Sequence, residues 1–143
     1  KKTIEVKPAL SWTSRVVYFK VVEPGHPVSY GSTWQSETPV RVVTLPVGYG
    51  DGYFRSLSNQ AKVLIRGQKF PVIGRVCMDQ TMINIGDRSA WNGDEVTLMG
   101  ADEQGNVISV EDLAEWGGTI PYEVLTSISE RVPRVYVGHE NLF

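Results

Sequence analysis

A mainly β, barrel-like domain with two short helices is the fold class this sequence predicts, and three observations predict it. Short β-branched and aromatic runs recur along the chain, separated by turns rich in Gly, Pro, Asn and Asp. Only two stretches, both in the last third of the chain, carry helix start signals. No repeat, low-complexity tract or internal linker divides the 143 residues, so they are expected to form one domain, 1–143, with a substantial core.

The strands follow from residue type. Residues 9–22 read as one strand, because Val16-Val17-Tyr18-Phe19-Lys20-Val21-Val22 is β-branched and aromatic. Glu23-Pro24-Gly25-His26-Pro27 presets or relaxes φ and forms a turn. A short strand over 28–30 and a longer one over 40–45 come next. Residues 61–65 and 70–73 pair as a hairpin about the turn 66–69. The alternation of Thr81-Met82-Ile83-Asn84-Ile85 suits a half-buried strand, and residues 95–99 form another.

The helices follow from their ends. Ser109 with Asp112 makes a capping box, opening a helix through Trp116 that Gly117-Gly118 stops. Thr119 is expected to cap a second helix, with Pro121 in its first turn, running to about Ser129. Residues 131–137 read as a closing strand.

Composition narrows the function classes. Hydrophobic residues at 41% and charged residues at 21% are ordinary for a globular protein, and a net charge of −2 gives no basic face for nucleic acid or an anionic membrane. No apolar run approaches the ~20 residues of a membrane span. Lys1 and Lys2 have no apolar segment behind them, so the start is not a signal peptide, and the absence of an initial Met suggests a piece of a longer chain. One cysteine, Cys77, excludes an internal disulfide framework and fits a reducing compartment. His26 and His139 lie apart from it, so the usual metal-ligand spacings are missing and no metal site is expected.

The chemistry is expected in the loop after residues 40–45. Gly48-Tyr49-Gly50-Asp51-Gly52-Tyr53-Phe54-Arg55 holds three glycines, two tyrosines, an aspartate and an arginine. Glycines at that density permit φ > 0 and close approach of another chain or ligand. The candidate polar residues are Tyr30, Tyr49, Asp51, Arg55, Arg75, Asp79, Tyr122 and Arg134. Each has an ordinary reading beside the functional one: Tyr30 as a rim aromatic, Tyr49 and Tyr53 as covers of the loop, Arg75 and Arg134 as surface cations, Asp79 as an arginine partner, Met78 as core filler. The residues alone support a β-rich domain with one polar, aromatic loop.

Four motifs in order add to this: Val28-Ser29-Tyr30-Gly31; Leu45-Pro46-Val47-Gly48-Tyr49-Gly50-Asp51-Gly52; Gly74-Arg75-Val76-Cys77-Met78-Asp79-Gln80; and Tyr122-Glu123-Val124 before Arg131-Val132-Pro133-Arg134. Together they resemble the C-terminal domain of bacterial alanine racemases, fold-type III pyridoxal-phosphate enzymes, over nearly the whole chain. Gly50 departs from the alanine of many relatives, which is expected to loosen the loop, and Glu130 stands where some have tyrosine.

The resemblance implies an isomerase (EC 5.1.1.1) that interconverts L- and D-alanine for peptidoglycan synthesis in the cytoplasm. Pyridoxal 5'-phosphate is then held mainly by an N-terminal barrel, on a lysine that this chain lacks, and this domain caps the partner subunit's barrel in a head-to-tail homodimer. It further implies Tyr30 as the base for L-alanine and the Met78 backbone N–H as a donor to the substrate carboxylate. Tyr49 and Tyr122 are implied as gates, Tyr122 also as a phosphate contact, and Arg55, Arg75 and Arg134 as cations along the access corridor. Tight gates favour a small amino acid. By itself the chain is expected to fold without racemising, and to expose apolar surface, with Trp12, Trp34 and Phe54 as candidates. Other readings are a racemase of serine, lysine or broad specificity, fusion of the parent to a peptidoglycan-precursor ligase, and a non-catalytic β-barrel interaction module.

Overall fold

The computed structural model describes residues 3–138 and shows one antiparallel sheet of eight strands with two helices. The strands are β1 (Trp12–Arg15), β2 (Tyr18–Val22), β3 (Val40–Leu45), β4 (Lys62–Ile65), β5 (Gln68–Ile73), β6 (Thr81–Gly86), β7 (Glu95–Ala101) and β8 (Val107–Ile108). Their order is β1-β7-β4-β5-β6-β3-β2, with β8 also pairing β7. The outermost strands of this path, β1 and β2, are consecutive in the chain, so the sheet must curl round on itself. That makes it barrel-like, as expected.

This curl splits the long strand predicted over residues 9–22. The Val16 N–H donates to Asp94 O beside β7, whereas the Val17 N–H donates to Thr44 O of β3, each at 3.0 Å. Two adjacent residues therefore serve opposite ends of the sheet, and the change of partner breaks the strand. Local propensity carries no trace of it.

The hairpin and the alternating strand match their patterns. β4 and β5 pair across Arg66-Gly67, a tighter turn than 66–69, with both residues at positive φ. β6 buries alternate residues, placing Thr81, Ile83 and Ile85 inward. The central residues Val96, Thr97, Leu98 and Met99 of β7 are all buried. β8 was too short to be read from sequence.

α1 (Val110–Gly117) opens on the expected capping box: Ser109 Oγ accepts from the Asp112 N–H at 3.0 Å, and Asp112 Oδ2 accepts from the Ser109 N–H at 2.8 Å. It buries Leu113 and Ala114, and the left-handed Gly118 ends it. α2 spans Pro121–Ser127, ending two residues earlier than predicted, and Ile120 rather than Thr119 occupies the cap position. The Thr119 N–H is already engaged, closing the end of α1 on Ala114 O at 2.8 Å, and its hydroxyl donates to Glu123. Residues 131–137 form no strand. Pro133 removes a ladder donor, and the Arg134 guanidinium holds the carbonyls of Ile128, Ser129 and Val132 in an irregular segment.

The main core gathers residues of β1 and β3–β8 together with Val47, Tyr53, Leu57, Leu113, Val124 and Ile128. Trp12, expected on an exposed face, is instead buried against Tyr53, edge to face with ring centroids 5.9 Å apart. Such a pair contributes about 1 kcal/mol beyond burial. Tyr53 does not cover the loop but lies wholly inside, where burial holds its phenol protonated well above the usual range. Trp34 and Phe54 are half-buried. The exposed large apolar residues include Tyr18, Phe19 and Val21 of β2, and Ile120, Tyr122 and Val135. His139 lies outside the described residues.

Ser109→Ala removes the α1 cap and is expected to cost about 1 kcal/mol, read as a lowered midpoint in urea unfolding with an unchanged slope. A midpoint equal to wild type would mean that tertiary packing alone holds α1.

Candidate active site

Three loops meet at one end of the sheet: residues 28–34 after β2, residues 46–57 after β3, and residues 74–80 between β5 and β6. Their backbones are laced together. Residues Tyr49–Asp51 form a 3-10 turn in which the Tyr49 N–H donates to Cys77 O at 3.0 Å and the Gly50 N–H to Met78 O at 2.9 Å. The Met78 N–H itself has no acceptor among the described residues. Met78 is half exposed and so is not core filler. Tyr49, also exposed, shares this junction with it.

Gly48 makes the lacing possible. A Cβ at this position would lie 2.0 Å from Cys77 O and 2.6 Å from the Met78 carbonyl carbon. The residue is extended, so its need is for close approach and not for an unusual φ. Gly52 needs both: its φ is 97°, and a Cβ would stand 2.2 Å from Ser127 O, where α2 ends against the turn.

Asp51 is buried within the turn. Its Oδ2 accepts from the Gly48 N–H at 2.9 Å, and its Oδ1 accepts from Arg131 Nε at 2.8 Å. The backbone joins in, with the Ser129 N–H donating to Asp51 O at 3.0 Å. A second nitrogen of Arg131, Nη2, pairs with Asp79 beside Met78. Hydrogen bonds that Arg131 donates to Asp51 and then to Asp79 hold its guanidinium protonated beyond its already high ordinary range. Asp79 is thus an arginine's partner, and the arginine is Arg131, which no sequence spacing pointed to.

Tyr30 stands on the third loop, 73% exposed. It opens a 3-10 turn, Tyr30–Ser32, where a short strand was expected; only Val28 makes an isolated bridge, to Trp34. Ser29, at φ 67°, turns the chain sharply there, and its Oγ donates to Arg75 O at 2.7 Å. Asn59 bridges the same loops, accepting from the Gly74 N–H at 2.7 Å and donating to Thr33 Oγ1 at 3.1 Å. The half-buried Arg75 side chain packs over Gly31, and its Nε is enclosed without a hydrogen-bond partner among the described residues. Tyr30 and Arg75 are therefore neighbours, as are Tyr49 and Met78.

The other predicted residues stand apart. Arg55 is exposed at the start of a third 3-10 turn, Arg55–Leu57. Tyr122 is exposed in the first turn of α2. Arg134 spends its guanidinium on three backbone carbonyls. Among the described residues no group of three or more His, Cys, Asp or Glu side chains is placed to hold a metal. Sequence reasoning missed Ser29, Asn59 and Arg131 as organisers. Ser29 and Arg131 lay inside quoted motifs, but nothing local marked their partners.

Gly48→Ala is expected to cost at least about 2 kcal/mol, because the backbone carbonyl it would strike belongs to a loop hydrogen-bonded on both sides. Urea unfolding checks this. Stability within about 0.5 kcal/mol of wild type would show that the two loops separate freely.

The chain is also similar to known proteins. A family model described as "Alanine racemase, C-terminal domain" matches residues 9–136. The alanine racemase of Halothermothrix orenii is 52% identical over 135 residues, covering 93% of this chain and 35% of that protein. That of Geobacter sulfurreducens is 47% identical over 134 residues, with coverage of 93% and 35%. Among solved structures, the alanine racemase from Bacillus anthracis with bound L-Ala-P superposes with a TM-score of 0.89 at 38% identity, covering 95% of this chain and 34% of that one. The alanine racemase from Bartonella henselae with covalently bound pyridoxal phosphate gives 0.82 at 30% identity, covering 89% and 34%. The chain spans about a third of the length of these relatives.

Proposed function

This chain belongs to the alanine racemase C-terminal domain family, and on that premise we propose that it supplies half of an active site that interconverts L- and D-alanine. The observation that carries the reading is the pairing of two exposed groups on interlocked loops: the Tyr30 phenol, and a Met78 N–H without an internal acceptor.

Tyr30 acts as the base on the L face. Racemisation removes a proton from one face of the α-carbon and delivers one to the other, so two groups are needed, each within reach of its own face. The Tyr30 hydroxyl oxygen takes the α-proton from L-alanine and returns it in the reverse direction. A lysine in the N-terminal barrel of the partner subunit serves the D face. The Arg75 guanidinium packs over Gly31 and so places a cation beside the turn that Tyr30 opens.

The Met78 N–H orients the substrate by donating to its carboxylate, and Tyr49, on the facing turn, narrows the approach to a small side chain. Arg55, Arg75 and Arg134 line the access route, where positive charge draws in a carboxylate. Pyridoxal phosphate, when bound, draws electrons from the α-carbon and so acidifies its proton. Of this chain's residues, Tyr122 fits the cofactor: its exposed phenol is a donor suited to one phosphate oxygen. One donor does not make a cradle, so the partner's barrel carries the rest of the cofactor site, in a cytoplasmic homodimer that serves peptidoglycan synthesis.

In the full-length parent, Tyr30→Phe is expected to lower L-to-D turnover by about 10²- to 10⁴-fold, the usual worth of a positioned base. Exchange of the α-proton of D-alanine in deuterated water should survive. Unchanged turnover from L-alanine would remove Tyr30 from the mechanism. The chain alone, lacking the barrel lysine, is expected to show no racemisation of either enantiomer.

A further inference from the structure

We propose that Arg131 is a positioning residue for the substrate carboxylate, clipping the turn that carries Tyr49 to the loop that carries Met78. This rests on the reading of Met78 as the carboxylate donor. Arg131 reaches both pieces with one rigid fork: Nε to Asp51 Oδ1 at 2.8 Å, and Nη2 to Asp79. These partners lie 80 and 52 positions away in sequence, so the fork joins three separate stretches of chain.

The junction is tight. The place a Cβ would take at Gly50 lies 3.0 Å from Arg131 Cζ, from its Nη1 and from Met78 O. The glycine thus admits the guanidinium to the point where the Gly50 N–H already holds Met78 O at 2.9 Å. The peptide that carries the Met78 N–H is held through the Cys77 carbonyl, which accepts from the Tyr49 N–H at 3.0 Å, and the next peptide is held through the Met78 carbonyl and the Asp79 side chain; together these aim the donor.

Charge gives the clip a second effect. Asp51 and Asp79 place two carboxylates beside a site that must accept a third. Arg131 touches both and offsets their field. Its loss would loosen the donor loop and leave like charges facing the substrate, and both changes weaken carboxylate binding. Neither touches the phenol of Tyr30, so the damage falls on binding more than on the chemical step. Lysine carries the charge but has a single point donor in place of a divergent planar fork, so it cannot span both aspartates in the same geometry.

The test uses the full-length holoenzyme and its Arg131→Gln, Arg131→Lys and Asp79→Ala variants. KM and kcat for L-alanine are measured, with the dissociation constant of propionate, a carboxylate without an amine, by calorimetry. Arg131→Gln is expected to raise KM and the propionate constant about tenfold or more, with kcat within about threefold of wild type. Arg131→Lys should fall between. Asp79→Ala keeps the Asp51 pair, so it folds even where Arg131→Gln does not, and should raise both constants about threefold. Folded Arg131→Lys and Asp79→Ala proteins with wild-type KM and propionate binding would overturn the proposal and leave Arg131 a purely structural staple. A wild-type parent that binds propionate yet does not racemise alanine would instead overturn the reading beneath it.

Discussion

A carboxylate that is nearly buried, Asp51, sets the terms for everything around it. Charge out of water is costly unless paired and hydrogen-bonded. Asp51 receives the Gly48 N–H within its own turn and Arg131 from the far end of the chain, while its backbone carbonyl receives the Ser129 N–H. Satisfying this one group draws the C-terminal segment onto the loop after β3. The same arginine extends the demand to Asp79, and through it to Met78. The polar cluster thereby becomes a frame: each member is in place because the others are, and the exposed groups beside it inherit that rigidity.

The frame depends in turn on the curl of the sheet. β3 and β6 lie next to each other, so the loops that follow β3 and precede β6 emerge together, and the Val47 carbonyl can accept from the Thr81 hydroxyl at 2.6 Å. β2 runs antiparallel to β3 and ends beside Val40, at the opposite end, so the long connection after it doubles back to set Ser29 against Arg75 and Thr33 against Asn59. The close approaches at Gly48 and Gly52 are consequences of this convergence. Apolar groups elsewhere, Ile120 and Tyr122 at the start of α2 and Tyr18 and Phe19 on β2, stay exposed. A surface of this kind suits a domain that works against further protein.

Much of the architecture could be read from local signals because those signals act over a few residues. The Ser109–Asp112 box needs only one helical turn, the β4–β5 hairpin only two residues of positive φ, and the alternation of β6 only a period of two. Where reading failed, a contact that residue propensity does not encode had overridden the local preference. Propensity joined β1 to β2, but their neighbours lie at opposite ends of the sheet. Residues 131–137 look like a strand, yet Arg134 ties up the nearby carbonyls and Pro133 cannot donate. Thr119 has the chemistry of a cap, but its N–H already belongs to the end of α1. Trp12 and Tyr53 look like surface aromatics until the roll closes them against each other.

The sequence by itself determined the β-rich class, the two helices and their starting region, and the identity of the polar, glycine-rich loop. Its ordered motifs also carried the family resemblance. Only the tertiary structure decided which stretches meet: that the Tyr49 turn is hydrogen-bonded to the Cys77-Met78 backbone, that Arg75 packs over Gly31 beside Tyr30, and that Arg131 spans Asp51 and Asp79. The physical reason is one of range. Caps, turns and alternation are governed by backbone chemistry within a few residues, whereas a salt bridge across 80 positions exists only once the sheet has curled and brought its ends together.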